Sequence, residues 1–322
     1  MSEQKPRFFR AGGYEAAVLP SAGANVYQLR KDGYDLLRPA ASADVVAAMP
    51  VIHGLPILFP PNRIAGGRFV HHGRTYQFPV TETATGNSIH GFLYQQDWML
   101  TVIREDDDAA EFRLQWTMDP DSPDFASYPH PFTAWLDYRL SHDGLEQTLT
   151  LHNQSDEPMP VGIGWHTAFN LKLTAETDPS AVRVRASIGQ RIAQNRQLLP
   201  DGRLLELTAD EQAFRTDGQQ PLYETMDHHY TVNPIELDGQ PFHGATLDFP
   251  LERQRVIYEV DPRYRHWMIW NCGREGSFIC IEPQNWRINA PNLGLPDDES
   301  GMDVIAPGDQ LNFRAVIRLE SI

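Results

Sequence analysis

Cysteine is nearly absent: Cys272 and Cys280 are the only two among 322 residues. That is too few for a disulfide framework or for a zinc site built on thiolates. Both lie in apolar, strand-like segments and are expected as buried free thiols. No apolar run approaches the roughly 20 residues needed to span a bilayer. The opening MSEQKPRFFRAGG lacks the apolar centre of a secretory signal, so a reducing cytoplasm is the expected address. Positive charge is also scarce, with 27 Lys and Arg against 43 Asp and Glu and a net charge of −16. Such a surface repels nucleic acid and anionic lipid and gives no electrostatic help to a strongly anionic substrate. Helical periodicity is confined to one short stretch, Ser42–Met49, closed by Pro50. The 12 histidines form no H-x-H or H-x-x-x-H pair, which leaves no metal-ligand spacing.

What the chain has in quantity is two-residue alternation. Phe132, Ala134, Leu136, Tyr138 and Leu140 alternate with Thr133, Trp135, Asp137 and Arg139, and Asp143-Gly144 then turns the chain into Leu145–Asn153. Arg68–Val70 with Thr75–Phe78 around His72-Gly73 reads as a second hairpin. Leu100–Glu105 with Ala110–Met118 around an acidic turn reads as a third. After Pro307-Gly308, Leu311, Phe313, Ala315, Ile317 and Leu319 share one face. Proline (25) and glycine (23) punctuate the whole length, no repeat recurs, and no change of composition divides it. The expectation is an all-β chain, a large antiparallel β-sandwich forming a single domain over residues 1–322.

Five segments carry residues suited to chemistry. Val161–Leu171 is a glycine-punctuated strand delivering His166, whose imidazole can exchange a proton near neutral pH. Pro60–Phe69 sets Asn62 and Arg63 at a loop-to-strand junction; an arginine fork suits paired oxygens, or simply ties down its own loop. Asn87–Phe92 is a polar loop with His90 beside Gly91. Asp227–Tyr230 clusters Asp227, His228 and His229, but adjacent strand residues face opposite ways and do not readily share one ion. In Ser277–Asn292 an apolar strand ends in Glu282 before Pro283. Partial desolvation would raise that carboxyl toward the range of a general base, unless Arg287 pairs with it. Trp165 and Trp286 could offer flat faces to a sugar ring, or belong to the core.

Taken in order, these segments resemble the aldose 1-epimerase (galactose mutarotase-like) family. The likeness runs from Asn62-Arg63-Ile64 and Gly67-Arg68-Phe69, through His90-Gly91 and Gly164-Trp165-His166, to Glu282 and Ala290-Pro291-Asn292. It implies a large antiparallel β-sandwich with an open sugar groove. It also implies that Glu282 is the base at the anomeric hydroxyl and His166 the acid at the ring oxygen. These two would titrate near pH 7, with no cofactor and no metal required. Asn62, Arg63, His90 and Asp227 would bind the sugar hydroxyls. Thr167-Ala168 after the histidine and the Met226–His229 context of Asp227 depart from the usual pattern and leave sugar preference open. The substrate implied is a free hexose such as galactose or glucose. A hexose 6-phosphate would need a basic cluster, for which Arg68, Arg74 and Arg287 are available. A sugar-binding protein without turnover would have no need of both His166 and Glu282. A glycoside hydrolase would require a second carboxylate placed like Glu282. The number of copies in the working assembly stays open.

Overall fold

A computed structural model describes residues 5–322. Two eight-stranded antiparallel sheets dominate it. The first, the hairpin sheet, runs Met99–Glu105, Ala109–Met118, Phe132–Ser141, Gly144–Asn153, Gln310–Ser321, Gln254–Val260, Gly244–Phe249, Arg183–Ala186. Its central hairpin pairs without a break from Phe132 opposite Asn153 to Ser141 opposite Gly144, as the Asp143-Gly144 turn predicts. The second, the site sheet, runs Pro200–Leu205, Ile188–Gln194, Asp227–Val232, His266–Asn271, Phe278–Gln284, Gly164–Trp165, Ile57–Leu58, and Ala168–Asn170 also pairs with Phe278–Gln284. A four-stranded sheet from Arg7–Ala11 to Tyr34–Asp35 packs beside them. The expected all-β sandwich is the fold observed.

The two large sheets share one apolar cluster. Leu136, Leu149 and Ile317 come from the hairpin sheet, and Trp165, Ile269, Ile279 and Ile281 from the site sheet. Because strand side chains alternate, Ile279 and Ile281 turning inward sends Cys280, Glu282 and Gln284 to the other face. That second face is covered as well, by loops rather than by a sheet, so all seven residues of Phe278–Gln284 are buried. The short helix Ala43–Ala48 is capped by the Ser42 side chain, which accepts from the Val45 N–H. Pro50 then opens the 3₁₀ turn Pro50–Ile52 that leads into this cover. Among the described residues no helix is long and apolar enough to cross a membrane. Cys272 is exposed, contrary to expectation, because it lies just past the end of His266–Asn271; Cys280 is buried, and both are free thiols.

Candidate active site

The second face of the site sheet and its covering segments line a half-open cavity of about 210 Å³. That lies below the range of about 300–1,000 Å³ typical of drug-sized ligands. His166, Asp227, Met268, Trp270 and Glu282 come from the site sheet and its strand connections; Val51, Ile52, Asn62, Arg63, Ile89 and His90 come from the covering segments. All six residues singled out in the sequence line this one cavity.

Backbone constraints place them. The covering loops meet where Gly91 approaches Phe59: a Cβ on Gly91 would sit 1.8 Å from the Phe59 carbonyl oxygen, and its φ is +66°. No other residue fits there. This contact sets His90 beside Asn62, and the His90 N–H donates to the Asn62 carbonyl at 3.0 Å. Asn62 and His90 both take left-handed backbone conformations, at φ 56° and 66°. The histidine strand is fixed in the same way. A Cβ on Gly162 would enter the Trp286 ring at 2.3 Å, so glycine lets that ring close the strand's flank. The His166 N–H donates to the Pro56 carbonyl at 3.1 Å.

At the floor, His166 Nε2 lies 3.2 Å from Glu282 Oε1, with the side chains only 8% and 1% exposed. Burial penalises the charged form of each group and moves them in opposite directions. The His166 imidazole is pushed down to about 4. The Glu282 carboxyl is pushed well above its usual range by burial and then by the nearby Asp227 charge, against the pull of Arg63 and Gln284. The direction expected for Glu282 is thus found, whereas His166, at about 4, lies below the neutral range that the resemblance implies. Burial therefore favours the neutral form of both groups. Arg287 does not pair with Glu282; it lies outside the cavity lining, and its Nε has no hydrogen-bond partner.

Arg63 is 6% exposed and does more than tie down its own loop. Its Nε donates to Glu82 Oε2 at 2.9 Å and its Nη2 to Glu82 Oε1 at 3.0 Å, while Nη2 also reaches Asp227 Oδ2 at 3.5 Å. Burial acts to raise the Glu82 carboxyl, but hydrogen bonds from Arg63 and Thr85 outweigh it and hold it below its ordinary value. Asp227 moves the other way, raised by burial against the pull of Arg63. His90 stacks edge-on against His166, ring centroids 5.2 Å apart. Burial and then the neighbouring His166 and Arg63 keep it well below its ordinary value, hence neutral.

The structure decides between alternatives that the sequence left open. Trp165 and Trp286 are core residues, 0% and 1% exposed; their indole N–H groups donate to the Tyr264 hydroxyl at 2.6 Å and the Pro61 carbonyl at 3.3 Å. The aromatic wall is Trp270, whose ring lies 6.0 Å from His166. Arg68 and Arg74 form no basic cluster at the cavity: Arg68 donates to Thr75, and Arg74 pairs with Glu157 at 2.7 Å. Asp227 and His228 part company as alternation demands, His228 turning toward Tyr230. Two residues that matter went unread, Glu82 and Trp270. The signal for Trp270 is its spacing of two from Met268, which pairs directly with Glu282. Glu82 sits in a polar loop with no periodicity to mark it. The one cluster of metal-capable donors among the described residues is His166, Cys280 and Glu282, whose ligand atoms lie within 4.8 Å of one another.

Known proteins resemble this chain in both sequence and fold. A galactose mutarotase-like protein from Clostridium acetobutylicum superposes with a TM-score of 0.94 at 32% identity, covering 98% of this chain and 95% of that one. Mouse galactose mutarotase is 28% identical over 338 residues, 91% of this chain and 94% of that protein. The uncharacterized protein YihR of Escherichia coli is 30% identical over 169 residues, about half of each chain (51% and 50%). The sequence model of aldose 1-epimerase matches residues 9–318, and the chain belongs to that family.

Proposed function

We propose that this chain is an aldose 1-epimerase that interconverts the α and β anomers of a free hexose such as galactose or glucose. The observation that carries this reading is the His166–Glu282 pair, 3.2 Å apart at the floor of the cavity. Ring opening must take a proton from the anomeric hydroxyl and give one to the ring oxygen. A pair holding one proton between two adjacent groups supplies both steps. Bound hydroxyls and Arg63 stabilise the Glu282 carboxylate, and the shared proton crosses to His166. Glu282 then takes the O1 proton while His166 protonates O5, and the C1–O5 bond breaks to give the open aldehyde. After rotation about C1–C2, His166 takes the O5 proton back, O5 attacks the other face of C1, and Glu282 returns its proton to O1.

Asn62, Arg63, His90 and Asp227 hold the hydroxyls, and neutral His90 can donate toward developing charge on O1. Trp270 and Met268 offer the apolar face that a pyranose needs. Among the described residues Arg63 is the only Lys or Arg lining the cavity, and it is committed to Glu82 and Asp227. This favours a neutral hexose over a hexose 6-phosphate. The two free thiols fit a reducing, cytoplasmic compartment.

Polarimetry of freshly dissolved α-galactose and α-glucose tests the proposal. Faster relaxation to the same final rotation is expected, and hexose 6-phosphates should neither turn over well nor compete strongly. No acceleration with either free sugar overturns it.

A further inference from the structure

Glu282 shares its face of the strand with Cys280, two residues earlier, and the catalytic proposal gives that thiol no task. A sulfur, an imidazole nitrogen and a carboxylate oxygen from Cys280, His166 and Glu282 lie within 4.8 Å of one another, and all three residues are buried. The Nδ1 atom of His166 has no hydrogen-bond partner. Thiolate, imidazole and carboxylate together suit a thiophilic divalent ion and not the oxygen-seeking magnesium or calcium.

Bonds of about 2.0–2.3 Å in a tetrahedral zinc site hold neighbouring donors roughly 3.5 Å apart. His166 and Glu282 already meet that spacing at 3.2 Å. Bringing the third donor in asks for a side-chain shift of about 1 Å at most. A doubly charged ion is neutralised by one thiolate and one carboxylate, which removes most of the penalty for burying charge. His166 and Glu282 line the cavity and Cys280 does not, so a fourth ligand would enter from the cavity side. On binding, the Cys280 thiol and the Glu282 carboxyl each exchange a proton for a bond to the metal; the protons leave to solvent, and nothing is oxidised or reduced.

We propose that His166, Cys280 and Glu282 bind a thiophilic divalent cation, Zn²⁺ or Cd²⁺, at the floor of the cavity, and that cation and sugar exclude one another there. The cation site stands on the donor geometry alone; the exclusion of sugar rests on the epimerase reading. The ion would be an inhibitor, because it occupies both groups that move protons.

The test uses a Cys272→Ser chain as reference, since Cys272 is an exposed thiol that would bind the probe itself. Cd²⁺ is titrated while the ultraviolet cadmium–thiolate absorption and the mutarotation rate are followed. The expected result is an absorption band saturating at one equivalent, loss of turnover in step with it, recovery on adding a chelator, and bleaching of the band by galactose. Adding Cys280→Ala should abolish the band and raise the inhibitory concentration at least about tenfold. The metal-free rate should stay within about twofold of the reference, because Cys280 touches no reacting atom in the proposed chemistry. Cys280→Ser serves the same purpose if the alanine variant does not fold. A reference chain without the band, or a Cys280 variant inhibited as readily as the reference, overturns the cation site. A band unchanged at saturating galactose overturns the exclusion. A chain that shows the band but never accelerates mutarotation supports the cation site and overturns the epimerase reading instead.

Discussion

The strands Phe132–Ser141 and Phe278–Gln284 sit in the two large sheets and are packed in opposite ways. The first buries Leu136, Tyr138 and Leu140 and turns Trp135, Asp137 and Arg139 outward, where Asp137 meets Arg113 at 2.7 Å within reach of water. The second is buried on both faces, by the sandwich core on one side and the covering loops on the other. Each strand carries one carboxylate. Asp137 is held in a surface ion pair, of the kind worth about 0–1 kcal/mol. Glu282 is buried at the floor of the cavity, and burial favours its neutral, protonated form. The contrast teaches that burial on the second face, not the carboxylate itself, separates a reactive group from a solubilising one.

The comparison is broken most sharply by Glu282→Gln. This near-isosteric change should leave the fold intact and reduce mutarotation by about 10²–10⁴-fold, with His166→Asn doing the same. A Glu282→Gln rate near that of the parent would refute the assignment. On the other sheet, Leu136→Ala should destabilise the protein by about 2–5 kcal/mol in urea unfolding, with the rate per folded molecule unchanged. Glu82→Gln lies between these cases, since Glu82 touches no substrate in the proposed chemistry but holds both forks of Arg63. A loss on the order of tenfold is expected from a misplaced guanidinium. It should appear chiefly in KM if Arg63 binds hydroxyls, and in kcat if Arg63 stabilises the opening ring.

The gentlest probe is stability against pH. His166 has a depressed folded pKa, so between about 4 and 6.5 the unfolded chain binds the extra proton and the residue's contribution grows as pH rises. Glu282 is the reverse. Its raised pKa gives a contribution complete below 4.5 and lost as pH climbs through the folded value. Measured as differences from the parent, which cancels the other buried histidines, the two single variants should slope in opposite directions. Glu282→Gln should gain relative stability with rising pH, and His166→Asn should lose it. Parallel slopes would mean that the pair does not share one proton.

The same contrast explains what could be read in advance. The hairpin from Phe132 to Asn153 was legible because one face meets water, so polarity alternates along the chain. The site residues were legible through the family resemblance, taken in order from Asn62-Arg63 to Glu282, and the structure gathers all six around one cavity. Where both faces are buried, alternation disappears. In His266–Asn271 nothing in the local pattern says that Trp270 rather than Trp267 faces the cavity. The same ambiguity left Trp165 and Trp286 open between a sugar face and the core, where the structure places them. Glu82 was invisible for a different reason. Its partner Arg63 is 19 residues away on the short strand Arg63–Ala65, and no alternation around Glu82 announces the pairing.

One consequence follows from the closeness and enclosure of His166 and Glu282. If opening and reclosure each pass a single proton across the sugar, the pair finishes every turnover holding what it held at the start. Its proton inventory is closed. Turnover at fixed pH should then be indifferent to buffer concentration, because the bulk solution neither supplies nor removes a proton in the cycle.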